Sequence, residues 1–299
     1  MEKLVCIVGT NASGKSGLGI SLAKHYDADI VSADSRQVFK GLDLGSGKVT
    51  KEEMQDVKHY LIDVAQPNDF FSLYHYQKMA YEAIDGITAQ NRKAFLVGGT
   101  GLYVNAVADG YVLTDSPPDP EIRKMVENKT VEELIDIIRD KTPDVLERTD
   151  LKNRRRVERA AERALSDDPH VRPCEKKYDT LMLGITWPRE ELYERIRQRL
   201  DKRLSEGMID EVVNLRKAGA DDDFLYRLGL EYRYILMYLR NEFDDYDSFY
   251  NKLFMEIRHL AKEQMTWFRK RQDIVWIDMK DEPEAHCIEL IDGFFGGNK

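Results

Sequence analysis

The segment Gly9-Thr10-Asn11-Ala12-Ser13-Gly14-Lys15-Ser16 has the spacing G-x4-G-K-[ST], and the apolar run Leu4-Val5-Cys6-Ile7-Val8 comes directly before it. A buried strand that opens through a glycine-rich turn into a helix suits such a loop to phosphate, because the first amides of the helix lack intrahelical acceptors and point at the ligand. Lys15 is placed to reach the outer phosphate as a point charge, and the Ser16 hydroxyl to ligate Mg²⁺. All of Gly9 to Ser16 is therefore a candidate cradle for a di- or triphosphate. The motif alone does not say whether that phosphate is hydrolysed.

The rest of the chain is ordinary in bulk and uneven in detail. At 299 residues, length suggests about two domains, and 33% charged with 42% hydrophobic residues fits a soluble globular enzyme. No apolar run approaches the roughly 18 residues of a membrane helix, and strand and loop sequence at the N-terminus leaves no room for a signal peptide. The expected setting is the cytoplasm, without membrane contact. Cys6, Cys174 and Cys287 are widely spaced and form no C-x-x-C pair, so neither a disulfide framework nor a zinc site is indicated. The net charge of −9 argues against nucleic acid, yet basic residues gather at Lys152 to Arg163, Arg189 to Arg203 and Arg258 to Arg271. Local basic surface is what phosphate contacts need, so RNA stays open as a partner.

Short apolar, β-branched runs alternate with helical patterns: 29–32, 60–64, 94–97, 181–185 and 274–277. The alternation predicts a doubly wound α/β sheet with ligands at the carboxyl ends of its strands. It breaks after Tyr111, where Ser116-Pro117-Pro118-Asp119-Pro120 leads into helical sequence as far as about Leu165, and resumes at Leu181 after the break from Ser166 to Pro173. The expected organisation is a core in two parts, 1–113 and 177–299, around an all-helical insertion at 114–176. Beyond Trp187 the pattern is again helical: Leu192, Ile196, Leu200 and Leu204 mark one buried face with Arg195, Arg199 and Arg203 beside it.

Two further motifs follow strand runs. Asp34-Ser35-Arg36-Gln37 comes after the second strand. Asp34 suits either a helix cap or a general base, with Ser35 and Gln37 as hydrogen-bonding partners for a polar heterocycle such as an adenine edge. Gly98-Gly99-Thr100-Gly101-Leu102-Tyr103 stands at a strand end where a motor-type ATPase would carry its Mg²⁺-holding acid. It is either a plain glycine turn or a place where the Thr100 hydroxyl meets a phosphate oxygen or the reacting centre. On the insertion, Arg155, Arg159 and Arg163 are spaced four apart and share one helix face, which is either solvated and paired with Glu158 and Glu162 or a grip on nucleic acid.

Taken in order, the phosphate loop, Asp34 to Gln37, His59 to Asp63, Gly98 to Tyr103, the block Asn153-x-Arg155-Arg156-Val157-x-Arg159-Ala160 and Gln264 to Arg269 resemble the bacterial-type tRNA dimethylallyltransferases, or isopentenyl-tRNA transferases. The resemblance spans most of the chain. It implies a P-loop NTPase-like core, a parallel sheet flanked by helices, with a helical insertion domain. It also implies transfer of a dimethylallyl group from dimethylallyl diphosphate to N6 of the adenosine 3′ of the anticodon, with Mg²⁺ bound beside the diphosphate. Asp34 would be the base, Thr100 would lie at the reacting centre and Arg199 would hold the diphosphate. Asp34, Ser35, Arg36, Gln37, Thr100, Arg123, Arg155, Arg156, Arg159, Tyr232 and Arg233 would meet the anticodon stem-loop of tRNA, and the enzyme would be a monomer. The chain departs from the family pattern at Phe39, Ala161 and Glu263, and most of all at Leu228-Gly229-Leu230-Glu231-Tyr232-Arg233. Two other uses of such a loop remain open: prenyl transfer to free AMP, ADP or ATP, and phosphate transfer by a small-molecule kinase.

Overall fold

A computed structural model describes residues 1–113, 115, 119–166 and 172–296. The chain forms two compact units, one of Met1–Gly110 with Lys176–Lys299 and one of Tyr111–Glu175. Of the breaks expected at Ser116 to Pro120 and at Ser166 to Pro173, residues 116–118 and 167–171 lie outside the described residues.

The larger unit begins β1 (Glu2–Gly9), α1 (Lys15–Tyr26), β2 (Ala28–Ser32), α2 (Lys51–Met54), β3 (His59–Tyr60), α3 (Leu73–Thr88), β4 (Lys93–Gly98) and α4 (Gly101–Ala108). The smaller unit holds α5 (Pro120–Glu127), α6 (Val131–Lys141), α7 (Pro143–Arg148) and α8 (Arg154–Leu165). The larger unit then resumes with β5 (Tyr178–Thr186), α9 (Arg189–Ser205), α10 (Met208–Lys217), α11 (Asp222–Leu228), α12 (Leu230–Leu239), α13 (Tyr246–Phe268), β6 (Ile274–Asp278) and α14 (Pro283–Gly296).

All strand pairings are parallel, in the order β3-β2-β4-β1-β5-β6. β1 is central, and the alternation of its side chains divides the core in two. Leu4, Cys6 and Val8 face one layer with Tyr76, Tyr103, Ile196 and Phe268, whereas Val5 and Ile7 face the other with Leu22, Phe95 and Ile291. Each of these strand residues is fully buried, and burial of a branched aliphatic side chain contributes about 1.5–3 kcal/mol. The strand expected at 60–64 is corrected to the two residues His59–Tyr60. Leu61 (φ 63°) and Asp63 (φ 57°) take the left-handed region, which a strand cannot accommodate, and Leu61 is buried as part of a loop.

The smaller unit has its own core of Val126, Leu134, Ile138, Val145, Val157, Ala160 and Ala161. Helices α5, α6 and α8 start where short polar side chains cap them. Asp119 accepts from the Glu121 and Ile122 amides ahead of Pro120, Thr130 and Glu133 form a reciprocal capping box, and Asn153 accepts from the Arg156 amide.

Candidate active site

Strands β1, β2 and β4 end side by side, so the three motifs that follow them converge on one cavity of about 330 Å³. Its lining includes Asn11, Ala12, Lys15 and Ser16 from the phosphate loop, Asp34 to Gln37 after β2, and Gly98 to Leu102 after β4. Helices α9 and α13 close it with Ile196, Arg199, Leu200 and Arg203 on one side and Ile257, Leu260, Gln264 and Trp267 on the other.

The phosphate loop turns through Ala12 (φ 57°) and Gly14 (φ 89°). Gly14 precedes α1, and its φ lies where a side chain would be strained. Two side chains tie the outer carbonyls of the loop. Trp187 Nε1 donates to Ser13 O (2.7 Å), Arg195 Nε donates to Ala12 O (3.0 Å), and the Arg195 guanidinium lies 4.5 Å from the Trp187 ring centre. Gln264 holds the inner side, accepting from the Asn11 amide at 2.8 Å and donating to Gly99 O at 3.0 Å. Thr10 and Ser13 are buried beneath the loop, and the Ser13 hydroxyl has no hydrogen-bond partner among the described residues.

Lys15 Nζ donates to Thr10 O at 3.1 Å and is half-buried at the cavity wall. Burial, and after it the Arg199 charge, lowers its pKa from 10.5 to about 8, against the opposing pull of Asp34. Burial and the neighbouring Arg203 likewise lower the Arg199 pKa from its ordinary value. Cations held under mutual repulsion in a partly desolvated cavity form a site for an anion. The acid-free strand end has a steric cause. A Cβ on Gly98 would run into Ala33, and one on Gly99 would stand 2.7 Å from Gln264 Nε2 and 3.4 Å from Lys15 Nζ.

Asp34 caps the turn that follows it, not a helix. Its Oδ1 accepts from the amides of Arg36 (2.9 Å) and Gln37 (3.3 Å), which fixes the carboxylate at the rim; among the described residues its Oδ2 accepts no hydrogen bond. Thr100 Oγ1 accepts from the Ser35 amide at 3.0 Å and so joins the loop after β2 to the loop after β4. The Gln37 side chain donates to Gly47 O at 3.3 Å. Arg199 Nη2 donates to the same carbonyl at 2.9 Å, which sets the 43–47 loop as a further wall.

That loop rests on groups to which sequence reasoning assigned no role. Glu211 accepts from the amides of Asp43, Leu44 and Gly45, and Arg203 donates to the carbonyls of Leu44 and Gly45. Tyr232 belongs to this support, which corrects its expected place on a nucleic-acid surface. Its side chain is 0% exposed, and its hydroxyl donates to Glu211 at 3.0 Å. Arg233, one residue on, is half-buried, stacks over the exposed Tyr226 ring at 4.7 Å and donates from Nε to Tyr226 O at 3.0 Å. Arg123, Arg155, Arg156 and Arg159 belong to the smaller unit. Arg123 and Arg159 pair with Glu162, Arg156 pairs with Asp150, and Arg155 has no ionic partner among the described residues. Glu263, one of the departures from the family pattern, has an exposed side chain beside His259.

Gln264, Arg195, Trp187, Arg203, Glu211 and Glu231 are the site residues that motif reading left without a role. The only signal for them was position. Arg195 and Arg203 flank Arg199 at helical spacing, and Gln264 opens the Gln264-to-Arg269 block that carries part of the family resemblance.

The family model described as IPP transferase matches residues 37–271. The chain is 40% identical to tRNA dimethylallyltransferase 2 of Trichlorobacter lovleyi over 98% of this chain and 97% of that protein. It is 35% identical to tRNA dimethylallyltransferase of Bacillus cereus, over 98% and 95%. Among solved structures, the tRNA isopentenylpyrophosphate transferase of Bacillus halodurans is 36% identical and superposes with a TM-score of 0.74 over 99% of this chain and 96% of that one. A eukaryotic dimethylallyltransferase acting on tRNA, 20% identical, shares the fold at a TM-score of 0.85, covering 100% of this chain and 81% of that one. Together with the six-stranded parallel sheet and the phosphate loop at the end of its central strand, these matches show that the chain belongs to the IPP transferase family, the tRNA dimethylallyltransferases.

Proposed function

We propose that the protein transfers the dimethylallyl group of dimethylallyl diphosphate to N6 of the adenosine 3′ of the anticodon in tRNA, with release of diphosphate. The observation that carries this reading is the mixed lining of the cavity. The cations Lys15 and Arg199 and the Asp34 carboxylate line it together with Ile196, Leu200, Ile257, Leu260 and Trp267, apolar side chains that suit a branched hydrocarbon better than a ribose. The similar tRNA dimethylallyltransferases point the same way.

The adenine amine is a weak nucleophile because its lone pair is delocalised into the ring. As N6 forms its bond to the allylic carbon, the carbon–oxygen bond to the diphosphate breaks and the electron pair leaves with that oxygen. Negative charge gathers where Lys15, Arg199 and the first amides of α1 are already fixed, which is the arrangement that stabilises such a step. Asp34 takes the N6 proton, with Oδ1 held by two amides and Oδ2 turned to the substrate. Thr100 positions this loop through the Ser35 amide. The residues present fit Mg²⁺ arriving with its ligand. Among the described residues no three His, Cys, Asp or Glu side chains group to hold a metal, and Mg²⁺ commonly takes most of its oxygens from substrate phosphates and water. The Ser16 hydroxyl would be its protein ligand, and the ion would offset charge on the leaving diphosphate.

The tRNA is gripped by Arg36 at the cavity, by Arg233 stacked on Tyr226, and by the exposed arginines Arg155, Arg156 and Arg159 with Arg123 in the helical unit. Among the described residues no helix is long and apolar enough to cross a membrane. The test is incubation with labelled dimethylallyl diphosphate, Mg²⁺ and unmodified tRNA, followed by digestion to nucleosides. Label in N6-dimethylallyladenosine is expected; label only in added free AMP would transfer the assignment to a free-nucleotide prenyltransferase.

A further inference from the structure

Glu231, the second residue of α12, is a carboxylate that the proposed reaction leaves unused. It lines the cavity and is only 4% exposed, yet its Oε2 has no hydrogen-bond partner among the described residues. Its Oε1 accepts from Arg203 Nη2 at 3.1 Å. Arg36 Nη1 approaches Oε2 to 3.5 Å, close enough for charge balance but too long and misdirected for a hydrogen bond. A buried carboxylate oxygen left in this state costs free energy until something donates to it.

The surroundings restrict what that donor is. Arg36, Arg203 and Arg199 put positive charge around Glu231, which disfavours a metal ion or ammonium, and the carboxylate lone pair disfavours an anion. A neutral N–H or O–H remains. On the reading that the substrate is an adenosine within an RNA strand, that nucleotide has two donor groups, the exocyclic amine and the ribose 2′-hydroxyl. The amine is committed to Asp34. Asp34 and Glu231 stand at opposite ends of Arg36, since the first accepts from its backbone amide and the second faces its guanidinium. One donor cannot serve both.

We infer that Glu231 Oε2 accepts a hydrogen bond from the 2′-hydroxyl of the target adenosine, making Glu231 a specificity-determining residue that selects ribose over deoxyribose. Arg36 and Arg203 hold the carboxylate in place from either side. The leucine before it, Leu230, adopts φ 42° immediately after Gly229 (φ 76°), so a special turn delivers Glu231 to the cavity.

The inference rests on the proposed function, and the experiment separates the two. Three anticodon stem-loops are compared with the full chain: all-ribose, and carrying 2′-deoxy or 2′-fluoro at the target adenosine alone. Prenylation of the all-ribose RNA tests the proposed function; only the ratios to it test Glu231. Neither 2′-deoxy nor 2′-fluoro can donate, and fluorine preserves the ribose pucker. Both should lower kcat/KM by about 10- to 100-fold, the scale of one hydrogen bond to a charged group. In E231Q the penalty should shrink, and in E231A it should vanish, since the ratio of two substrates on one variant is insensitive to how much of that variant is folded. No penalty in the unaltered protein, or an equal penalty in E231A, would overturn the inference. A penalty from blocking an amine on a neighbouring base instead would assign Oε2 to that base and overturn it equally.

Discussion

Lys15 and Arg199 share one cavity, and after burial itself the Arg199 charge is the main influence holding the Lys15 ammonium at about 8. One cation comes from the first residue of α1 and the other from α9, more than half the chain away. Their repulsion is relieved by an anion placed between them, and in the proposed function that anion is the diphosphate.

The first prediction concerns pH. Lys15 titrates near 8 in the free protein, and a bound diphosphate favours its charged form, so its pKa is higher in the complex. Between these two values binding takes up a proton. Affinity for an unreactive diphosphate analogue should therefore be insensitive to Lys15 well below pH 8 and fall by up to about tenfold per unit above it. Calorimetry in buffers of different ionisation enthalpy counts the proton directly. A constant affinity from about pH 7 to 9.5 would contradict the stated environment of Lys15.

Asp34→Asn keeps an oxygen able to accept from the Arg36 and Gln37 amides but removes the proton acceptor. Turnover should fall by about 10² to 10⁴, the range for general-base removal, with tRNA affinity changed by no more than a few fold. Comparable losses in both quantities would make Asp34 a recognition group instead.

For Arg199→Ala, a loss of about 10² to 10³ in kcat is expected, the scale for one donor aimed at developing charge. Because Arg199 also donates to Gly47 O, protease sensitivity of the 43–47 loop should rise. An unchanged rate would remove Arg199 from the diphosphate site.

Gln264 ties Asn11 to Gly99 with one acceptor and one donor. Gln264→Ala removes both, and kcat/KM should fall by about 10-fold or more as the loop loses its register. Gln264→Glu keeps the acceptor for the Asn11 amide but not the donor to Gly99 O, so its loss should be smaller. Steady-state kinetics on the two variants checks the order, and the reverse order would show that a carboxylate facing Gly99 O costs more than the retained Asn11 contact returns.

The parts of this protein that were legible in its sequence are those written within a few residues. The strand from Leu4 to Val8, the turn through Gly14 and the helix from Lys15 form a local unit whose phosphate geometry is the same wherever it occurs. Asp34, Thr100 and Arg199 also line the cavity together. The supporting contacts were hidden because they join distant segments. Gln264 meets Asn11 across 253 positions, and Arg195 meets Ala12 across 183. Tyr232 lies next to a surface arginine in sequence, but the helical turn between neighbours sends it inward to Glu211 and Arg233 outward to Tyr226. The apolar run at 60–64 misled for a related reason: burial selects apolar residues in a packed loop as readily as in a strand.

The most direct measurement offers the protein Mg²⁺ and unmodified tRNA with either labelled dimethylallyl diphosphate or γ-labelled ATP, and follows both label transfer and diphosphate release. The expected result is one prenyl group entering tRNA for each diphosphate released, with no phosphate transferred from ATP. Phosphate transfer from ATP to any acceptor, without prenylation of tRNA, would show that Lys15 and Arg199 hold a nucleotide and contradict the assignment of the cavity to an allylic diphosphate.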